Sequence, residues 1–259
     1  MELKATTKSP TPTVDRLREM GRWDSSLDKV YEWDPGWIEA AMKMSDNPWT
    51  NGVLPLKTIE LICVALNAAC TSMHERGTRH HIRAALEAGA TREEILEVLE
   101  MAAVLALHSC SLGAPILLEE AREAGVVPAE RSKNAEPTPF IDQMHAIGQW
   151  NQAWEPFLAL DPKWTDQFLA IGVAIYKSGV IVPKEVELLS IAFDVSYTHM
   201  YAPGTRRHIQ AALKLGATME EIMEVLKLCV AAGMNACSVG VPILAEELAA
   251  FESRKKTQK

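Results

Sequence analysis

The stretch His74-Glu-Arg-Gly-Thr-Arg-His-His81 recurs 127 positions later as Tyr201-Ala-Pro-Gly-Thr-Arg-Arg-His208. In both copies, the shared core Gly-Thr-Arg-x-His is followed by Ile-x-Ala-Ala-Leu-x-x-Gly-Ala-Thr. Residues 55–120 align without a gap with residues 182–247, and 31 of the 66 positions are identical. Chance would give only a few identities, so the chain contains a tandem duplication.

Each copy of the cluster has the pattern of a helix start. Gly77 and Gly204 are expected to end the preceding segment, and Thr78 and Thr205 are good N-caps. An apolar face with helical spacing follows in both copies: Ile82, Ala85, Leu86, Ile209, Ala212 and Leu213. This places the basic side chains of both clusters in the first turn, at the positive end of the helix dipole, where cations are unfavourable. The repeated pattern therefore predicts a bound anion at each helix start.

The remaining pattern is helical as well. Thr91-Arg-Glu-Glu94 and Thr218-Met-Glu-Glu221 are capping boxes, and no series of strands or glycine-rich phosphate loop is evident. We therefore predict an all-α fold of two tandem helical repeats related by a pseudo-twofold axis. The expected division is a mobile tail (1–12), a first repeat (13–124), a linker (125–139), a second repeat (140–252) and a polar tail (253–259).

Composition restricts the class of function. The chain has 259 residues, is 48% hydrophobic and carries a net charge of -8, which argues against nucleic acid as a partner. The longest apolar runs are of helix length and interrupted by charges, so we predict no membrane partner. The N-terminus has no apolar core of a signal peptide, and the five cysteines are an odd number, so we predict a reducing, cytoplasmic location without disulfides.

One family resemblance is specific. Glu60-Leu, followed by His81-x3-Ala-Leu-x2-Gly-Ala-Thr-x-Glu-Glu-Ile-x-Glu-Val-Leu, resembles the carboxymuconolactone decarboxylase family, which also contains alkyl hydroperoxidase D-like proteins. Both halves match, over about 55–120 and 182–247. The resemblance implies an all-helical fold that assembles as a homo-oligomer, here a trimer or a dimer of two-repeat chains.

The chain departs from the peroxidase members of that family. Those members carry Cys-x-x-Cys ahead of the histidine that corresponds to His81 and His208, whereas the matching positions here are His74 and Gly77, then Tyr201 and Gly204. Disulfide relay chemistry needs two thiols within bonding reach. A thiol-dependent, peroxidase-like redox protein is therefore a disfavoured alternative.

Histidine exchanges protons near neutral pH, and arginine holds a carboxylate with two parallel hydrogen bonds. The predicted acid–base residues are His81, His208, Glu60, Glu187, His74 and Tyr201. The predicted substrate-binding residues are Arg79, His80, Arg206 and Arg207. The glutamates are expected to orient the histidines or relay the proton, with an ion pair to Arg79 or Arg206 as the structural alternative.

Other reactive side chains fit a catalytic or metal site less well. Cys70 lies one helical turn before His74, but the second copy has two tyrosines at these positions, which weakens a thiolate nucleophile. A zinc site from Cys70, His74, His80 and His81 fits no familiar ligand spacing, so we expect no metal and no cofactor. His108 and Asn235 are expected late in a buried helix, where core packing is the simplest role.

The sequence therefore predicts a cofactor-independent enzyme that acts on a small, unsaturated, carboxylated metabolite of the kind produced by aromatic ring cleavage, with decarboxylase-like chemistry. Isomerisation, or ester or lactone hydrolysis, of the same substrate class needs the same groups and stays an alternative. A non-catalytic oligomeric module is the alternative from a different class.

Overall fold

A computed structural model describes residues 9–126 and 137–257, and all regular structure in these ranges is helical. The helices of the first half are α1 (Pro12–Glu19), α2 (Asp28–Trp33), α3 (Pro35–Ser45), α4 (Asn47–Thr50), α5 (Leu56–Ala68), α6 (Glu75–Glu87), α7 (Arg92–Val104) and α8 (His108–Glu123). Those of the second half are α9 (Pro139–Ala146), α10 (Glu155–Leu160), α11 (Pro162–Ser178), α12 (Pro183–Val195), α13 (Ala202–Lys214), α14 (Met219–Ala231) and α15 (Asn235–Thr257). The predicted all-α class is confirmed.

Local sequence signals set the start of the two most regular helices. The hydroxyl of Thr91 accepts the N–H of Glu94 at 3.1 Å, and the Glu94 carboxylate accepts the N–H of Thr91 at 2.8 Å. Thr218 and Glu221 repeat both bonds at the same distances. Both predicted capping boxes are therefore present, and they begin α7 and α14.

The two repeats meet along α5 and α12, which pack against each other at the centre of the molecule. Thr58 Oγ1 donates to Glu185 Oε1 at 2.7 Å, and Thr198 Oγ1 donates to Thr71 Oγ1 at 3.0 Å. Each bond joins positions 127 residues apart, which are equivalent in the duplication. Contacts between equivalent positions are expected beside a twofold axis, so they support the predicted pseudo-twofold arrangement.

The last helix of each repeat packs on the first helices of the other. Leu107 and Ala114, around the start of α8, share a buried cluster with residues of α9 to α11: Ile141, Met144, Phe157, Leu169 and Val173. Residues near the start of α15 cover a cluster from α1 to α3: Val14, Leu17, Val30, Ile38 and Met42. The repeats are thus two units in sequence, but each apolar core is completed by the other repeat.

The predicted N-terminal and C-terminal tails are each shorter than expected within the described residues. Residues 1–8, 127–136 and 258–259 lie outside the described ranges, so most of the predicted mobile tail and linker cannot be compared. Thr11 is buried and Pro12 begins α1, so the ordered fold starts slightly earlier than predicted. Helix α15 continues to Thr257, so residues 253–257 of the predicted polar tail are helical.

Two continuous helical stretches, Arg92–Glu123 and Met219–Thr257, are long and apolar enough to cross a membrane by length and composition alone. The core helices of soluble proteins pass the same criterion. In these two stretches, however, much of the apolar surface is exposed, particularly along α8 and α15.

Candidate functional site

The two cluster helices begin earlier than the sequence predicted. Helix α6 starts at Glu75 and α13 at Ala202, with His74 and Tyr201 as the N-cap residues. Met73 and Met200 have positive φ values of 50° and 54°, which turn the chain sharply and start each helix at once. The predicted N-cap role of the two cluster threonines is therefore wrong.

This shift also removes the predicted anion site. Thr78 lies inside α6 and donates its hydroxyl hydrogen bond to the His74 carbonyl at 3.0 Å. The cluster arginines and histidines consequently lie in the second turn, where the backbone N–H groups already bond within the helix. A helix N-terminus does not hold an anion at these side chains.

The cluster glycines allow a close approach between helices. The prediction that they end the preceding segments is wrong, because they lie in the first turns of α6 and α13. A Cβ atom at Gly77 would overlap the side chain of Asn67, and one at Gly204 would overlap Asp194 Oδ2. The glycine of the repeated motif therefore makes room for a polar side chain from α5 or α12.

Each repeat contains a histidine–glutamate pair. His81 Nδ1 donates to Glu60 Oε2 at 2.7 Å, and His208 Nδ1 donates to Glu187 Oε2 at 2.6 Å. The glutamates thus orient the histidines and fix the hydrogen on Nδ1. The alternative ion pair of Glu60 with Arg79 is not formed, because Arg79 pairs with the exposed carboxylate of Glu75 at 2.8 Å.

The two pairs lie in different environments. Burial would raise the pKa of Glu60, but hydrogen bonds from His81 and Trp49 lower it below its usual value. Burial lowers the pKa of His208, although the bond to Glu187 opposes the change. His208 is therefore a neutral imidazole at neutral pH.

The guanidinium of Arg207 completes the second site. Nη2 donates to His208 Nε2 at 2.7 Å, and Nη1 donates to Gln149 Oε1 at 2.6 Å. Gln149 Nε2 in turn donates to Glu187 Oε1 at 3.2 Å. The Nε–H group of Arg207 is buried and has no hydrogen-bond partner among the described residues.

Arg207 and His208 line a cavity of about 90 Å³ between the repeats. Its apolar wall comes from both repeats: Met101, Val104, Leu105, Leu107, Met144, Trp154, Phe168, Leu169, Ile175, Val186 and Phe193. Its polar lining is His108, Tyr176, Ser190, Asp194, Arg207 and His208. Burial raises the pKa of Tyr176 to about 12, so its hydroxyl keeps its proton. An apolar cavity with a few convergent polar groups is the usual form of a small-molecule site.

Asp194 is the functional candidate that the sequence analysis missed. Its side chain is 3% exposed, and Oδ2 has no hydrogen-bond partner among the described residues. Oδ2 lies 3.7 Å from His208 Nε2, and Oδ1 lies 3.6 Å from His108 Nδ1. Burial raises the pKa of Asp194 to about 7, with Arg207 lowering it and Glu187 raising it. A charged residue in the apolar run of α12 was the available signal.

His108 reaches this cavity because the repeats exchange their last helices. The predicted place of His108 and Asn235 late in a helix is wrong, since they are the first residues of α8 and α15. His108 stacks on Tyr201 with ring centroids 3.9 Å apart, and its Nδ1 lies 2.6 Å from His199 Nε2. Burial, together with the neighbouring His199, His208 and Arg207, lowers the pKa of His108 to about 3.

The equivalent site of the first repeat is filled differently. Trp49 donates Nε1 to Glu60 Oε1 at 2.6 Å, and the guanidinium of Arg22 lies over its ring at 5.3 Å. Asn235 Nδ2 donates to Asn67 Oδ1 at 3.1 Å, at the positions that His108 and Asp194 occupy in the second site. The first site therefore holds an amide pair where the second holds a carboxyl and an imidazole.

Several predicted site residues are not brought to the cavity. Arg79 is exposed, and Arg206 is exposed beside a separate cleft that Ile209 and Gln210 also line. His80 is exposed, and its ring centroid lies 4.9 Å from that of His81 in an edge-to-face arrangement.

The two helix-capping positions have mainly structural contacts. His74 Nδ1 accepts the backbone N–H of Gly77 at 3.1 Å, which caps α6. Tyr201 donates its backbone N–H to the carbonyl of Asp194 at 2.7 Å, and its ring lies against His108. Tyr201 thus supports the second site from outside the cavity lining.

One group of side chains has the donor types of a metal site. Among residues 9–126 and 137–257, His108, Asp194 and His199 place their ligand atoms within 4.8 Å of one another. However, two nitrogens bound to one tetrahedral zinc ion at ~2.0–2.1 Å lie roughly 3.3 Å apart, and the two imidazole nitrogens here are 2.6 Å apart. This distance fits a hydrogen bond between the rings better than a shared metal ion.

The thiols do not contribute to the cavity. None of the five cysteines is among the residues that line it, and all five are free. Burial raises the pKa of Cys229 to about 12 and that of Cys63 well above its usual value, which disfavours the reactive thiolate.

An all-helical tandem repeat with a buried histidine–glutamate pair in each half defines the class of this protein. The carboxymuconolactone decarboxylase family model matches residues 35–108 and 162–246, once in each repeat. The chain belongs to this family, and the two matches confirm the tandem arrangement. Comparison with curated protein sequences found no match.

A solved structure is similar over almost the whole chain. It is a protein from Burkholderia xenovorans LB400, provisionally described as a gamma-carboxymuconolactone decarboxylase subunit. The two chains are 32% identical with a TM-score of 0.83, and the match covers 94% of this chain and 98% of that one. Family and neighbour together support a decarboxylase-like function at the level of class.

Proposed function

We propose that this protein is a cofactor-independent lyase of the decarboxylase type, acting on a small, unsaturated, carboxylated metabolite in the cavity of the second repeat. The substrate class is that of lactones and dienoates produced by aromatic ring cleavage. The family and the similar solved structure support the reaction type, and the cavity supports the substrate class.

One observation carries the proposal. Arg207 and Asp194 line the same apolar cavity, and the buried atoms Arg207 Nε and Asp194 Oδ2 have no hydrogen-bond partner among the described residues. Unpaired buried polar atoms are unfavourable by ~1–3 kcal/mol each, more when charged, unless a ligand satisfies them. A small acid would supply both: its carboxylate accepts from Arg207, and another part of it lies against Asp194.

The roles of the second-site residues follow from their bonds. Glu187 holds His208, and His208 and Gln149 hold Arg207 in one orientation. A preoriented guanidinium binds a carboxylate with less loss of side-chain freedom. His208 Nε2 accepts from Arg207 and carries no hydrogen, so it is the basic nitrogen of the cavity and the proposed general base.

The same base would serve isomerisation or lactone hydrolysis, which remain the alternative reactions on this substrate class. Both need a neutral imidazole beside a carboxylate anchor, and both are distinguished from decarboxylation by the absence of released CO2. The redox alternative has less support, because no thiol lines the cavity.

The test is a panel of carboxylated lactones and dienoates, followed by ultraviolet absorbance and CO2 release. We expect turnover of at least one member with loss of CO2. Arg207→Gln should raise KM by about tenfold or more, since a charge-assisted bond contributes ~1.5–3 kcal/mol.

Arg206→Gln is the matched control, because Arg206 is the adjacent residue in sequence but is exposed outside the cavity. It should leave KM and kcat near the wild-type values. Absence of turnover across the whole panel, or equal effects of the two substitutions, would refute the proposal.

A further inference from the structure

We propose that Asp194 is the acid that protonates the substrate carbon, and that the second repeat therefore performs the chemistry while the first does not. The inference rests on the proposed function and names a catalytic residue for it. It is carried by the position of Asp194 in the cavity and by the comparison of the two pseudo-equivalent sites.

The position of Asp194 suits a donor to bound substrate. The residue lines the cavity, its side chain is 3% exposed, and Oδ2 has no partner among the described residues. Gly204 is what allows this position, because any Cβ there would overlap Oδ2. Asp194 Oδ2 therefore packs close to the backbone of α13 at the cavity wall, without a hydrogen-bond partner among the described residues.

His208 is not suited to be the acid. Its Nδ1 hydrogen is engaged by Glu187, and its Nε2 accepts from Arg207, so no imidazole hydrogen is available to the cavity. Decarboxylation needs a proton donor at the carbon that loses CO2. Asp194 Oδ2, 3.7 Å from His208 Nε2, is a nearby atom that can carry that proton, and its pKa lies far closer to neutral than that of Tyr176.

Electrostatics support the assignment. Burial raises the pKa of Asp194 to about 7, so the protonated form is well populated at neutral pH. The ionisable groups around it, from α8, α11, α12, the turn after α12, and α13, are His108, Tyr176, Glu187, His199, Arg207 and His208. Glu187 raises the pKa of Asp194 and Arg207 lowers it.

The first repeat offers an internal comparison. Asn67 stands at the position of Asp194, and Asn235 at that of His108, joined by a hydrogen bond of 3.1 Å. An amide does not deliver a proton in the physiological pH range. His81 and Glu60 keep their pairing, but the first site has no carboxyl group at the position from which the second would protonate substrate.

The proposed step is balanced as follows. The bond between the substrate carbon and its carboxylate breaks, CO2 leaves, and the electron pair enters the conjugated system as an extended enolate. The O–H bond of Asp194 breaks and a C–H bond forms at the substrate carbon. The Asp194 carboxylate then takes a proton from solvent, so one proton is consumed for each CO2 released.

The test is Asp194→Asn, which places the side chain of the first site in the second. Asn67 shows that this amide fits the fold beside a glycine of the neighbouring helix. On a substrate that the wild type decarboxylates, we expect kcat to fall by about a hundredfold or more while KM changes little. The wild-type kcat should decline as pH rises through about 7, and the variant should lack this decline.

Three kinds of result would overturn the inference, of which the first two leave the proposed function intact and the third also removes its cofactor independence. The first is a variant with kcat within about fivefold of wild type. The second is a variant that loses rate but keeps the decline above neutral pH, or that no longer binds an unreactive dicarboxylate such as succinate. The third is loss of wild-type activity on chelation and its recovery with Zn²⁺, since Asp194 would then act as a metal ligand. If the wild type decarboxylates no member of the panel, the proposed function itself fails.

Discussion

Asp194 is the residue at which stability and the proposed chemistry oppose each other. Its pKa rises from 3.8 to about 7 on folding, and each pKa unit corresponds to ~1.4 kcal/mol. The folded state therefore favours the protonated form: this contribution is complete below pH 3.8 and is lost as pH rises through about 7. Above that pH, the ionised form opposes folding by up to ~4 kcal/mol.

Asp194→Asn should consequently stabilise the protein more at pH 8 than at pH 5, because the cost of the carboxyl grows from pH 3.8 to about pH 7. The measurement is the melting temperature at both pH values, and an increase of several degrees is expected at pH 8. The control is Asp161→Asn, which changes an exposed helix-capping carboxylate and should show no such pH-dependent gain. Equal shifts for Asp194→Asn at the two pH values would contradict the raised pKa.

Glu187→Gln tests the orientation of His208. Since Glu187 raises the pKa of His208 against the effect of burial, its loss should lower that pKa further and weaken the base. We expect kcat/KM to fall by about 10–100-fold, and any acidic limb of the pH profile that reports His208 to move to lower pH. Glu60→Gln, the equivalent change in the first repeat, should leave kcat/KM near wild type, and an equal loss in both variants would argue against an active second site.

Among single residues, those that recur in both copies of the duplication were predictable from the sequence. Both histidine–glutamate pairs were predicted, because identical residues recur at the same spacing. Recurrence gives no such signal for Asp194 and Arg207, because the equivalent residues of the first copy are Asn67 and His80. A difference between the copies shows that the two sites are not equivalent. The structure is needed to show that the second copy holds buried polar atoms without a hydrogen-bond partner.

Helices α6 and α13 show how local signals can misplace an element boundary. Thr78 and Thr205 were predicted as N-caps but lie inside these helices. The chain turns earlier, at the positive φ of Met73 and Met200, and His74 supplies the cap in α6. A non-glycine residue with positive φ is not visible from sequence. The capping boxes of α7 and α14 were predictable, since both of their bonds are local.

The close contact of α13 with α12 at Gly204 predicts how a substitution there changes the stability of the protein. Gly204→Ala should force Asp194 or the helix to move, with a loss of ~1–3 kcal/mol in the free energy of unfolding. Chemical denaturation measures this directly. Gly240→Ala is the control, because a Cβ there meets open space in the middle of α15, and it should be neutral or stabilising by up to ~1 kcal/mol. A neutral Gly204→Ala would show that α13 does not need this close approach.

For the whole molecule, the exchange of α8 and α15 was the feature that the sequence did not predict. Periodicity assigns an apolar face to a helix but not the partner that covers it. The exchange explains why His108, from the first repeat, lines a cavity of the second.

The exposed apolar faces of α8 and α15 support the predicted homo-oligomer. Equivalent residues along both helices are more than 40% exposed: Leu112, Ile116 and Leu117, and Val239, Ile243 and Leu244. Apolar patches of this kind mark association surfaces. The combined change Leu117→Glu with Leu244→Glu should shift the protein towards monomer in sedimentation velocity, whereas Met20→Glu, an exposed apolar site elsewhere, should not. A wild-type protein that sediments as a monomer would refute the prediction.

The most direct measurement compares His208→Ala with His81→Ala in CO2 release from a carboxylated lactone that the wild type turns over. The two histidines are equivalent in the duplication, and both pair with a glutamate, but the described cavity is lined by His208. The account predicts that His208→Ala loses most of the activity and His81→Ala keeps it. Retained activity in His208→Ala, or its loss in His81→Ala alone, would contradict the account.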